Sequence, residues 1–173
     1  GTILTSPDGT TWTGRTSGTS NSLYGVTYVD GTFVTVGYSG TILTSPDGTT
    51  WTGRTSGTSN SLYGVTYVDG TFVTVGYSGT ILTSPDGTTW TGRTSGTSEV
   101  LYGVTYGDGT FVTVGFSGTI LTSPDGTTWT GRTSGTSNFL YGVTYGDGTF
   151  VTVGQSGTIL TSPDGTTWTG RTS

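Results

Sequence analysis

The 173-residue sequence contains no cysteine, histidine or methionine, and no alanine or lysine occurs anywhere along it. Without cysteine and histidine there is no thiolate or imidazole to act as nucleophile or to bind a transition metal, and a hydroxyl nucleophile would lack a base. Nor is there a disulfide framework from which a redox compartment could be read. Good helix formers never run together free of glycine, so no window favours a helix. Charge is scarce: five arginines stand against nine aspartates and one glutamate, Glu99, for a net charge of −5. That balance offers no basic face to neutralise nucleic-acid phosphates. No apolar run approaches the roughly 18 residues of a membrane span, and no signal-peptide pattern opens the chain. The start at Gly1 reads as a trimmed product, and secretion stays open.

What is present is glycine, 33 residues of it, with threonine, serine, valine and aromatics. β-Branched and aromatic side chains favour pleated, half-buried strands, so the class is all-β. The text is a tandem repeat. A 39-residue unit starts at Gly1, Gly40, Gly79 and Gly118, and a 17-residue fifth copy runs from Gly157 to Ser173. Few positions vary. Val29 and Val68 become Gly107 and Gly146, and Tyr38 and Tyr77 become Phe116 and Gln155. Asn21-Ser22 and Asn60-Ser61 become Glu99-Val100 and Asn138-Phe139.

Turn chemistry cuts each unit into four strands. Leu23–Val29 is the first, ended by Asp30-Gly31, a dipeptide suited to a tight hairpin. Thr32–Tyr38 is the second, and Ser39-Gly40 turns it into the third, Thr41–Ser45. Ser45-Pro46-Asp47-Gly48 makes the next turn, and Thr49–Thr55 is the fourth strand. Four short antiparallel strands every ~40 residues match one blade of a β-propeller. The alternative is a β-solenoid, disfavoured because three hairpin turns per unit suit a meandering sheet. Trp51 and Tyr63 bring large surfaces to be buried between blades, while Gly64 and Gly76 leave room for close approach.

Residues 1–173 therefore read as a single repeat domain. An outer hairpin without inner partners occupies 1–21, and four blades occupy 22–60, 61–99, 100–138 and 139–173. The chain holds five outer hairpins but four inner ones, so the first outer pair has no mate. Open ends would expose strand and core surface, and the expected partner is another copy of the chain, two or more sharing one ring. The spare pair would then be displaced or compete for an equivalent position. No nucleic-acid or membrane partner is expected.

The third turn, S-P-D-G-T-T-W, occurs five times: Ser6 to Trp12, Ser45 to Trp51, Ser84 to Trp90, Ser123 to Trp129 and Ser162 to Trp168. It resembles the Asp-box, or bacterial neuraminidase repeat, S-x-D-x-G-x-T-W, with one residue fewer between Asp and Gly. The surrounding text, LYGVTYGDGTFVTVG to SGTILTSPDG, is similar to propeller repeats akin to those of photosystem assembly factors. The Asp-box resemblance implies structural roles for Ser45, Asp47, Gly48, Thr50 and Trp51. It implies the same for Asp8, Trp12, Asp86, Trp90, Asp125, Trp129, Asp164 and Trp168, with the carboxylates bonded to turn amides and the tryptophans buried. It carries no activity across.

Sialidases of that family converge three arginines on a carboxylate and add a tyrosine–glutamate pair and an acid. Here Arg15, Arg54, Arg93, Arg132 and Arg171 share one repeat position on the outer strand, where symmetry spreads them around the rim. A charge there discourages edge-to-edge strand pairing. All nine aspartates precede glycine in hairpin turns, and D-G alone is a weak calcium signal. No cofactor, metal or catalytic residue is expected. Tyr24, Tyr28, Phe33, Tyr38 and their copies could stack on sugars but fit better as interblade core. The variable position held by Tyr38, Tyr77, Phe116 and Gln155 accepts glutamine and is the candidate ligand contact. The sequence thus leaves three classes: a non-catalytic multivalent binding module, with carbohydrate as the candidate ligand; a purely structural or engineered propeller; and, least favoured, an enzyme.

Overall fold

A computed structural model describes residues 1–172. The C-terminal limit drawn for the last blade, Ser173, lies outside the described residues. An opening pair, β1 (Thr2–Thr5) and β2 (Thr13–Thr16), forms a two-stranded sheet of its own. Four four-stranded sheets follow. The first holds β3 (Leu23–Val29), β4 (Thr32–Gly37), β5 (Ile42–Ser45) and β6 (Thr52–Arg54). The second holds β7 (Leu62–Val68), β8 (Thr71–Gly76), β9 (Ile81–Ser84) and β10 (Thr91–Arg93). The third holds β11 (Leu101–Gly107), β12 (Thr110–Gly115), β13 (Ile120–Ser123) and β14 (Thr130–Arg132). The fourth holds β15 (Leu140–Gly146), β16 (Thr149–Gly154), β17 (Ile159–Ser162) and β18 (Thr169–Arg171). Every pairing joins sequence neighbours antiparallel, the meander of a blade and not the parallel coil of a solenoid. The fold is all-β, built of repeated four-stranded propeller blades.

The turns explain the strand limits. Asp30 and Gly31 have φ of 46° and 77°, the doubly left-handed turn whose twist matches the flanking strands. The second strand is shorter than the sequence predicts, ending at Gly37, because Tyr38–Gly40 closes a 3-10 turn. Ser39 itself takes a left-handed φ of 54° there, as do Ser78, Ser117 and Ser156 at the same repeat position. A non-glycine residue held at positive φ is uncommon, so the surroundings must fix it. The fourth strand differs more from expectation. It starts at Thr52, since the amides of Thr49 and Thr50 are taken by the Asp47 carboxylate at 2.8 Å and are lost to the ladder.

Sheets stack through their innermost strands, β3 on β7, β7 on β11 and β11 on β15. Glycine permits the approach. A Cβ on Gly25 would lie 2.6 Å from the Tyr63 carbonyl oxygen, and one on Gly64 would lie 2.9 Å from that of Tyr102. Gly76 serves a different neighbour, its own blade, where a Cβ would strike the Ser61 carbonyl oxygen. Between the first two sheets Val34, Val36 and Ile42 close on Leu62, Phe72 and Leu82. The same six repeat positions build the next two interfaces. Burying each such side chain contributes about 1.5–3 kcal/mol relative to exposure, so a blade is stable through its neighbours.

Candidate functional site

The S-P-D-G-T-T-W turn is a closed set of hydrogen bonds. Ser45 Oγ donates to Asp47 Oδ1 at 3.0 Å and accepts from the Gly48 amide at 2.8 Å. Trp51 Nε1 donates to the Gly48 carbonyl at 3.0 Å. The amide of Thr50 is the leading cause that holds the Asp47 carboxyl well below the usual carboxylate range, with the Thr49 hydroxyl and amide next. Asp8, Asp86, Asp125 and Asp164 are lowered in the same way by the amides or hydroxyls of the two threonines that follow. In each of these carboxylates Oδ1 accepts from the amides of both following threonines. Among the described residues no three carboxylates converge as a metal-binding group.

The tryptophans depart from expectation. Trp51, Trp90, Trp129 and Trp168 are half-buried instead of mostly buried, and Trp12 is 57% exposed. In each complete blade the indole sits by a phenylalanine of the second strand, Phe72 to Trp90 at 6.3 Å for example. The β1–β2 pair has no such strand, and Trp12 loses that wall.

The arginines form no converging cluster. Arg54 Nε donates to Thr44 Oγ1 at 2.8 Å on the neighbouring strand, and Arg15, Arg93, Arg132 and Arg171 repeat the bond. Two of them line open rim grooves that are repeat equivalents. One of about 590 Å³ holds Arg93 with Ser78, Thr80 and Thr94, and one of about 730 Å³ holds Arg132 with Ser117, Thr119 and Thr133. The variable position lies beside these turns. Tyr38, Tyr77 and Gln155 are exposed, whereas Phe116 is half-buried because Phe139 packs on it, ring centroids 4.2 Å apart. The two substitutions therefore accompany each other. Gly107, another variable position, faces the Tyr145 ring where a side chain would stand. Tyr24, Tyr63, Tyr102 and Tyr141 form a ladder, one per blade, with successive centroids 5.3, 5.7 and 5.6 Å apart.

The strongest feature was legible in the sequence only as a count of hairpins. Among the described residues three interblade cores separate the four sheets, so the outer face of the last sheet is open and that of the first is covered only in part, by β1–β2 over Leu43 and Gly48. On the first sheet Tyr24 is 49% and Val26 65% exposed. On the last, Tyr141 is 51% and Val153 49% exposed. The equivalent of Val153 at the inner interfaces, Val75 or Val114, is fully buried. Beside β1 a cavity of about 350 Å³ is walled by Ile3, Leu4, Tyr24, Val26, Phe33 and Trp51. Among the described residues β1 pairs with β2 alone.

No family model matches the chain, and no curated protein sequence matches it. Solved structures do. A YCF48 bound to a D1 peptide matches at TM-score 0.71 and 20% identity, over 90% of this chain and 55% of that one. The chain thus spans about half the length of that protein. The computationally designed Ika4 protein matches at TM-score 0.69 and 15% identity, over 83% of this chain and 92% of that one. The WD40 β-propeller domain of Doa1 matches at TM-score 0.66 and 17% identity, over 85% of this chain and 53% of that one. Identities this low speak to the fold, and the fold they share is the β-propeller.

Proposed function

We propose that the 173 residues act as a non-catalytic propeller scaffold whose open faces are covered by a second copy, head to tail, until two or more copies share one ring. One observation carries this reading. The exposed face bearing Tyr24 and Val26 and the exposed face bearing Tyr141 and Val153 are the two halves of an interface that the chain already buries three times. Their complementarity is therefore written into the repeat, and a heterologous contact of this kind closes into a ring when the rotation allows. Contiguous apolar surface of this sort is a mark of association.

A ring so completed would present the rim grooves and the exposed Tyr38 and Tyr77 at blade spacing. The hydroxyls of Ser78 and Thr94 beside Arg93 suit a polar, polyhydroxyl ligand, and repetition would turn weak single sites into avidity. Carbohydrate is the ligand class this favours. The five S-P-D-G-T-T-W turns serve as Asp-box-like structural elements in this reading, with each carboxylate bonded through Oδ1 to the amides of its own turn.

Native mass spectrometry of the 173-residue chain across a concentration series tests the scaffold reading. Discrete oligomers that dissociate on dilution are expected. A strictly monomeric species at every concentration overturns it. A glycan array tests the ligand class, with binding expected to fall steeply when the chain is held monomeric.

A further inference from the structure

Residues 1–17 and 157–173 are the same seventeen-residue text, GTILTSPDGTTWTGRTS. The chain therefore carries two identical outer pairs, β1–β2 and β17–β18, and only the second has inner strands to pair with. When the last blade of one copy docks on the first blade of another, both outer pairs claim one position. Resting on the head-to-tail reading above, we infer that β1–β2 takes that position in trans. It would pair with the partner's β16 and release the partner's β17–β18.

The linkers favour this outcome. The β1–β2 pair keeps the connection that joins every blade to the next, and that connection is tied down. The Gly1 ammonium donates to the Thr19 carbonyl at 3.0 Å, Ser17 Oγ donates to the Gly1 carbonyl at 2.6 Å, and Asn21 Nδ2 donates to Thr41 Oγ1 at 2.8 Å. Among the described residues the β17–β18 pair carries no counterpart of the 17–21 linker. Gly157 is consequently exposed, whereas Gly40, Gly79 and Gly118 at the same position are buried under a linker carbonyl, that of Thr58 in the first case. Exchange would give the junction the same outer pair, linker and inner pair as every internal junction. Docking without exchange would leave the outer pair at the junction without that linker, as Gly157 is now.

The register follows from the blades. In the first sheet β4 pairs β5 as Val34↔Thr44, Thr35↔Leu43 and Val36↔Ile42, and in the last sheet Val153 faces Ile159. By repeat equivalence Thr5 would face the partner's Val151, Leu4 the partner's Thr152 and Ile3 the partner's Val153. Trp12 would then lie by the partner's Phe150, gaining the wall it lacks. A longer polypeptide continuing the repeat would fill the same place with its own strands in the same register.

The absence of native cysteine makes a clean test. Ile3→Cys chains are mixed with Val153→Cys chains, unfolded and refolded together, and oxidised. Directly opposed positions lie close enough for a disulfide or a short bifunctional thiol reagent. A covalent heterodimer is the expected result. Oligomers by native mass spectrometry without that cross-link overturn the exchange while leaving head-to-tail association standing, and monomers overturn both. Should either cysteine chain fail to fold, full chains bearing Trp12→Ala or Trp168→Ala decide it. Exchange predicts that Trp12→Ala weakens association by about tenfold or more and that Trp168→Ala leaves it unchanged. The opposite order overturns the inference.

Discussion

Gly64 and Gly142 occupy the same repeat position in the same kind of strand, yet one is pressed against a neighbour and the other is free. A Cβ at Gly64 would lie 2.9 Å from the Tyr102 carbonyl oxygen, whereas at Gly142 the nearest heavy atom, a Val153 methyl, is 3.9 Å away. Val75 and Val153 differ likewise, buried against half exposed. Local sequence is nearly the same in each pair: the second strands read TFVTVG in both blades, and the first strands differ only where Val68 is replaced by Gly146. The difference comes from what stands alongside. In a chain of near-identical blades, burial is a property of position in the stack.

Phenylalanine at the second strand should show the largest contrast. Phe111 is 3% exposed between two sheets, while Phe33 is half-buried and borders the open cavity beside β1. Phe111→Ala should cost about 3–5 kcal/mol in chemical denaturation. Phe33→Ala should cost clearly less when the chain is dilute enough to be monomeric, and equal losses would break the comparison.

Glycine substitution should sharpen it. Gly64→Ala should destabilise the chain, because a strand backbone must move to admit the methyl. Gly142→Ala should be tolerated by the isolated chain and could gain about 0.4–1 kcal/mol through the unfolded state. It should nevertheless oppose association, since in a shared ring that glycine would meet a partner strand. Paired thermal melts and sedimentation would read both effects.

Acid should act on ends and interior alike, through the Asp-bearing turns. Each of these carboxyls is lowered in the folded state, so its contribution is complete above the unfolded value of about 4 and is lost as pH falls below it toward the folded value. Stability should therefore hold from neutral pH to about 4 and decline below that. Replacing Asp86 with Asn should flatten part of that decline in a pH series of melts. The smallest effect belongs to the exposed variable position. Tyr77→Gln, copying Gln155, should change stability by no more than about 0.5 kcal/mol.

Much of the fold was legible because turn chemistry is local. Asp30-Gly31 marked its hairpin, and the 39-residue period marked the blade. The fourth strand was read too long because Thr49 to Trp51 carry strand-like side chains while their amides belong to the Asp47 carboxylate. The spare outer pair was legible by counting hairpins, but the exposure of Trp12 was not. Its text matches that of Trp51, and only the absent second strand separates them. The coupling of Phe116 to Phe139 was likewise hidden, since two side chains 23 positions apart meet across a junction.

If the end faces are interior faces awaiting a neighbour, thiol protection should follow concentration at one end and not inside the stack. Single-cysteine chains bearing Val26→Cys or Val65→Cys place a reporter at one repeat position, on the open first sheet or inside the stack. The cysteine at 26 should be labelled rapidly in dilute protein and become protected as concentration rises, while the one at 65 should be slow throughout. Rapid labelling at 26 at every concentration, or equal rates at the two sites in dilute protein, would contradict it.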